Sequence, residues 1–429
     1  MRKNSDYRKL GIFLLTDSIY ININKLNKVY NKKYINEVYN FEYDKYTYTT
    51  SFSSVYLYKS KEYIIIPNIL NPRWFVPKNR IIIKKIGKFV KPTHIFSWIA
   101  WKITLIFNII NKIDIIYHDK IYLKKSTNKF YYIKPKFNNS EFVIFTGAKG
   151  LYQKFTIQEM SPAGDILLFH KIGYNKYSRN RIKKEYEGLK FISNSDMNTF
   201  KVPKIIDFYE IDTFLVLCLS PASTDFKNLI WDFSPFHQKA LFEINNSLFT
   251  SIKKDIFIND KLNNIDKLKN HGVIESEYIN NLYHACDLIK SKLKYFDDIK
   301  LVFSHGDFSP WNVLSNKYSI FIFDWEMSEY RSQLWDYFNF IYHLYILKRG
   351  FSLKNISRKF IKDQKWYCSM IDGGNFIVLH LSYVVDILSH YFFQWTIMKE
   401  ENIETPRTIN KVISSFLKIL RILIDSVIL

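Results

Sequence analysis

Two short apolar runs, each handing the chain over to acids, constrain this sequence more than any other feature. LVFSHGDFSPWNVLS (301–315) is followed by SIFIFDWE (319–326). LVF and IFIF read as strands, because brief apolar stretches bounded by turn residues suit buried sheet. The first delivers a loop with one carboxylate, Asp307, and an amide five residues later, Asn312; the second delivers Asp324 and Glu326. Phosphoryl transfer needs such parts: a carboxylate to orient or deprotonate an attacking hydroxyl, and oxygen ligands to hold Mg²⁺ against a triphosphate. Mg²⁺ keeps several of its waters, so one amide oxygen and one carboxylate suffice.

Upstream, the pattern from Glu141 is strand-rich. FVIFTG, KFTIQEM and ILLFHKIG are separated by the glycine-containing loop AKGLYQ and the turn SPAGD. A charged helical stretch, SRNRIKKEYEGLKFI, comes next, then the strands VPKIIDFYE and TFLVLCLS. Five strands with one helix after the third predict an α+β layer whose sheet is covered on one side. After Ser220 and Pro221 the chain turns helical. ISSFLKILRILIDSVIL repeats its apolar positions at three and four, and NFIVLHLSYVVDILSHYFFQWTIM is apolar nearly all round, as a central helix of a helical lobe is.

On these residues the chain resembles the aminoglycoside phosphotransferase and choline kinase-like family of the protein-kinase-like superfamily. HGDFSPWN matches the catalytic-loop pattern H-G-D-x-x-x-x-N, and FDWE matches the metal-binding element. The resemblance implies a bilobal α+β fold: a five-stranded antiparallel N-lobe with one helix, and a mostly helical C-lobe. It implies ATP and Mg²⁺ as cofactors and a small hydroxyl-bearing acceptor. Asp307 would be the catalytic base, and Asn312 and Asp324 would hold Mg²⁺, with Glu326 supporting the ion through water. His305 would be structural, and Asp336 in QLWDYFNF would brace the catalytic loop. Lys171, ending the third strand, would grip the phosphates. Glu185 would pair with it, Glu187 being the alternative. Gly147 and Gly150 would line the nucleotide loop, and the backbone near Leu219 and Ser220 would meet adenine.

The predicted domains are a basic mixed α/β extension over 1–138, a nucleotide-binding N-lobe over 139–221 and a helical C-lobe over 222–429. In the extension, KEYIIIPNIL and YTYTTSFSSVYLY predict strands, NPRWFVPKN (71–79) a turn-rich loop with an exposed Trp74, and 94–113 an aromatic helix. That helix reads first as a core helix, second as one lying on a membrane. NPRWFVP and the helix together resemble extensions of phosphotransferases from bacterial surface-polysaccharide clusters. This points to a sugar or glycan precursor as acceptor; an aminoglycoside- or choline-type acceptor, or a catalytically silent scaffold, are the alternatives.

Composition trims the remaining classes. Residues 1–140 carry 26 Lys+Arg and 8 Asp+Glu, a net of +18 out of +22 for the chain. Such a segment suits an anionic leaflet or a phosphorylated glycan. Nucleic acid is disfavoured, because only 11 of the 62 basic residues are arginine. Three scattered cysteines, Cys218, Cys286 and Cys368, exclude a disulfide framework and suit a reducing compartment. No secretory signal is expected, so the predicted location is the cytoplasm, with peripheral contact at the inner face of the membrane.

Overall fold

Alternating and continuous apolar runs dominate the first half of the chain, and they assemble into one large sheet. The structure, a computed structural model, describes residues 19–21, 60–66, 73–89, 95–117, 120–124, 137, 139–147, 150–211, 213–371, 375–403 and 405–428. The predicted strand YTYTTSFSSVYLY lies outside these residues. The chain divides into two compact units, the first holding 1–148, 153–179 and 206–221, the second 149–152, 180–205 and 222–429.

In the first unit the strands are β1 (Ile19–Ile21), β2 (Ser60–Ile66), β3 (Trp74–Pro77), β4 (Lys120–Lys124), β5 (Glu141–Phe145), β6 (Phe155–Met160) and β7 (Ile166–Gly173). With β9 (Ile205–Ile211) and β10 (Phe214–Leu219) they form a nine-stranded sheet in the order β1-β4-β2-β3-β5-β6-β7-β10-β9. All five strands expected between 141 and 220 are present in it. The sheet also runs straight through the expected boundary at 138, since β3 pairs with β5 antiparallel, Trp74 opposite Phe145.

That pairing corrects the reading of 71–79 as a loop. Pro77 ends its strand, where its missing N–H costs nothing. Arg73 N and Lys78 N donate to Ile66 and Glu62 carbonyls on β2 at 2.9 and 2.8 Å, fixing the register against β2 at both ends of β3. Trp74 is half-buried rather than exposed, its ring 4.4 Å from Phe145. Two helices, α1 (Arg80–Phe89) and α2 (Ile95–Ile109), follow β3. Ile82, Ile83 and Ile86 of α1 share a core with Ile64, Val76, Val143 and Met160 of the sheet.

Buried Glu159 stitches the join. Its carboxylate accepts from Phe137 N at 3.0 Å and Ser140 Oγ at 2.7 Å, and its other oxygen meets His170 Nε2 at 2.9 Å. A buried carboxylate is tolerated only when its lone pairs are used in this way.

The second unit is mainly helical, and the chain as a whole is α+β. Its first long helix, α3 (Lys176–Ser193), begins in the first unit and continues in the second. β8 (Phe200–Lys201), β11 (Asn228–Leu229), β14 (Val313–Ser315) and β15 (Ile320–Ile322) make one small sheet. β12 (Phe249–Lys253), β13 (Asp298–Ser304) and β16 (Glu329–Ser332) make another. Around them stand α4 (Pro235–Ser247), α5 (Lys254–Asn270), α6 (Ser276–Lys292), α7 (Trp335–His343), α8 (Leu353–Cys368), α9 (Phe376–Glu400) and α10 (Arg407–Ile428). By length and composition α9 could cross a bilayer, yet 67% of its apolar window is buried, with Tyr383, Val384 and Leu388 in the core. Interior packing accounts for its all-round apolar surface.

Candidate active site

β13 ends at Ser304, and the next three residues form a sharp turn centred on Gly306. Its φ is +84°, and a Cβ there would lie 2.1 Å from the Met327 carbonyl oxygen. Only glycine lets the two backbones approach so closely. Asp336, in the first turn of α7, holds this turn from below. Its Oδ2 accepts from His305 N at 2.7 Å and its Oδ1 from Gly306 N at 3.0 Å. Burial pushes the Asp336 carboxyl above its ordinary range, outweighing the opposing pull of His305, the two amide bonds and Arg331.

His305 is buried and ties two loops together. Its Nδ1 accepts from Asp307 N at 3.2 Å, which leaves Nε2 as the donor to Phe323 O at 2.9 Å. Phe323 N in turn donates to Asn312 O at 3.1 Å. The loop carrying Asp307 and the strand end carrying Asp324 are therefore one frame.

Asp307 lies where that frame opens, its side chain 29% exposed. Ser309 Oγ donates to its Oδ1 at 2.9 Å, and Asn312 Nδ2 donates to its Oδ2 at 3.0 Å and to its carbonyl at 2.9 Å. His343 Nδ1 stands 3.6 Å from Oδ1. Burial acts to raise the Asp307 carboxyl, but His343, His305 and Ser309 together outweigh it and hold it below the ordinary carboxylate range.

Asp324 follows β15 at φ +71°, a conformation that aspartate tolerates better than most residues. Its carboxylate gathers with those of Glu185 and Glu326, their ligand oxygens all within 4.8 Å of one another. Glu185 is fully buried on α3, whereas Glu187, the alternative, is exposed and pairs with Lys183 at 3.8 Å. Gly188 makes the close approach possible, since a Cβ there would lie 2.1 Å from Ser328 Oγ and 3.4 Å from the Trp325 carbonyl. Arg181 Nη1 donates to the Glu326 carbonyl at 3.3 Å. Glu329, bound by Arg331 at 2.5 Å and Lys184 at 3.0 Å, steadies the same helix against β16.

The remaining expected residues fall as follows. Lys171 is half-buried on β7, opposite Thr156 and Leu217 of its neighbouring strands. Leu219 is the buried last residue of β10. Gly147 belongs to the first unit, with φ +74° and a close approach to the Lys154 carbonyl; Gly150 belongs to the second, against Met398.

Sequence reading missed Ser309, Asn339 and His343. Asn339 Nδ2 reaches the Phe308 carbonyl at 3.3 Å and Asp307 Oδ1 at 3.5 Å. A signal was available: Asp336, Asn339 and His343 recur at three and four, one polar stripe on an otherwise apolar helix.

No protein-family profile and no curated relative matches the chain. Several solved structures resemble it. One is the ADP-bound aminoglycoside phosphotransferase APH(2'')-Ib, at 16% identity and TM-score 0.40, over 66% of this chain and 93% of that one. A choline/ethanolamine kinase family protein from Mesorhizobium loti follows at 14% and 0.42, over 66% and 87%. The amicoumacin kinase hAmiN, in complex with AMP-PNP, Ca²⁺ and Ami, stands at 12% and 0.41, over 68% and 90%.

Proposed function

We propose that this chain transfers the γ-phosphate of ATP to a hydroxyl of a small acceptor. One observation carries the reading: Asp307, fixed by Ser309 and Asn312, shares a hydrogen-bonded frame with the oxygen cluster of Glu185, Asp324 and Glu326. A loose phosphoryl transition state asks the protein chiefly for positioning and charge compensation, and this frame offers both.

The donor set fits Mg²⁺, which prefers carboxylate and amide oxygens to nitrogen or sulfur. Asp324 and Asn312 would hold it, with Glu326 and Glu185 completing the shell; bound there, it offsets charge on the phosphates. Asp307 accepts the acceptor's hydroxyl proton while the oxygen–γ-phosphorus bond forms and the bond to ADP breaks. Because its carboxyl is held low, Asp307 is a weak base, so its first service is to aim the hydroxyl. On motif order we assign Lys171, Gly147, Gly150 and Leu219 to ATP.

For the acceptor we infer a sugar-like molecule, in glycan metabolism of the cell envelope. Supporting this, Trp311 is half-buried, its ring stacked on His343 with Lys348 Nζ 5.6 Å from its centroid, so an aromatic ring with hydrogen-bonding neighbours lies near Asp307. The test is ATP titration calorimetry with and without Mg²⁺, on wild type and Asp324→Asn, followed by ADP release across sugars and amino alcohols. Mg²⁺-dependent binding that the variant loses, with sugar-dependent turnover, supports the reading. Absence of ATP binding by wild type, or turnover with no acceptor at all, overturns it.

A further inference from the structure

α2 is built inside out. Its buried positions are polar: Thr104 and Asn108 are almost fully enclosed. Thr104 Oγ1 shares a hydrogen bond with Tyr117 Oη at 2.8 Å, and Asn108 Nδ2 donates to the Arg80 carbonyl at 3.0 Å. Arg80 Nε returns a bond to the Asn108 carbonyl at 3.1 Å. Among the described residues the outward positions, continued by Ile110 just past the helix end, are mostly isoleucines, with Ala100 and Lys102 beside them. Ile99, Ile103, Ile106 and Ile110 recur at four, three and four along one stripe, with Ile109 beside it, and all five are between 43% and 69% exposed.

A helix that faces water does the reverse, turning its apolar stripe to the core and its hydrogen-bonding side chains out. The buried side of α2 is already satisfied, with half-buried Trp101 on the core of the first unit, so the isoleucines are not a misplaced core. Charge distinguishes what could cover them. Residues 80–117 hold seven lysines and arginines and one acid, Asp114, and α1 and α2 contain no acidic residue. A second copy docking through the same face would bring like charges together. An aliphatic stripe among basic residues is the composition of a segment lying in the headgroup layer of an anionic leaflet.

We propose that the α2 face docks on an anionic lipid bilayer, seating Ile99, Ile103, Ile106 and Ile110 among the acyl chains while neighbouring lysines meet the headgroups. This surface is independent of the phosphotransfer reading and stands or falls without it.

The test is vesicle co-sedimentation of the full chain, comparing phosphatidylglycerol-containing with pure phosphatidylcholine vesicles, for wild type and Ile103→Gln/Ile106→Gln. Both positions are exposed, so thermal unfolding of the variant should match wild type. Wild type is expected to sediment with the anionic vesicles and not the neutral ones, and the double variant to lose at least tenfold in partitioning. Three results overturn the proposal. The first is wild type left in the supernatant with both vesicles. The second is a variant that partitions like wild type, which makes binding a matter of charge alone. The third is wild type that self-associates without lipid while the variant stays monomeric, which assigns the face to a second copy.

Discussion

Asp307 and Asp336 sit 29 residues apart in sequence and meet at one turn, yet their carboxyls shift in opposite directions. Asp307 has the stronger set of partners, so its carboxyl stays ionised throughout the neutral range. A depressed carboxyl contributes stability that is present above the ordinary carboxylate range and lost as pH falls through its own lower value. Turnover should accordingly show no acid limb from Asp307 above the usual carboxylate value of ~4. His343→Gln removes the strongest of the partners that hold it down, and an acid limb should then move upward in the pH profile of kcat. Asp307→Asn is expected to lower kcat by about 10²- to 10⁴-fold, with ATP affinity unchanged by calorimetry. Asp336→Asn should act on stability: losing one of two bonds to buried backbone N–H groups costs about 1.5–3 kcal/mol, read from the urea midpoint. A midpoint equal to wild type would remove the bracing role.

At the scale of elements, the site depends on how closely α3 approaches the segment after β15. Gly188 touches Ser328 with no room for a methyl group, and Glu185 lies one turn away on the same helix. Gly188→Ala should therefore push α3 back and weaken Mg²⁺-dependent ATP binding at least tenfold, although alanine is the better helix former. Ser328→Ala removes the nearest atom, so combining the two should recover part of the loss. Additive losses in the double variant would show that the contact does not set the helix position. The motif strings mark where strands end. The glycines that permit these approaches carry no motif, because a close contact is a property of two segments at once.

In the first unit the nine-stranded sheet makes the described strands of the extension and the strands of 141–219 one hydrogen-bonded body. β3 covers the edge of β5, and Val143 and Met160 share a core with isoleucines of β2 and α1. A fragment of 139–429 would expose that edge and those side chains. It is expected to aggregate or to unfold at least 10 °C below the full chain in a thermal scan, whereas a separable extension would leave the fragment soluble and unchanged.

The sequence by itself determined the chemistry-bearing loops, the five strands between 141 and 220, the helical second half and the α+β class. Each is local: a run of apolar residues and a turn fix it within a dozen positions. Only the tertiary structure decided that Trp74–Pro77 is a strand, that Glu159 fastens the join, that Glu185 stands with Asp324 and Glu326, and that α2 turns its isoleucines outward. Those outcomes depend on what lies across the sheet or beside the helix, and pairing partners, register and close approach leave no periodicity in one segment alone.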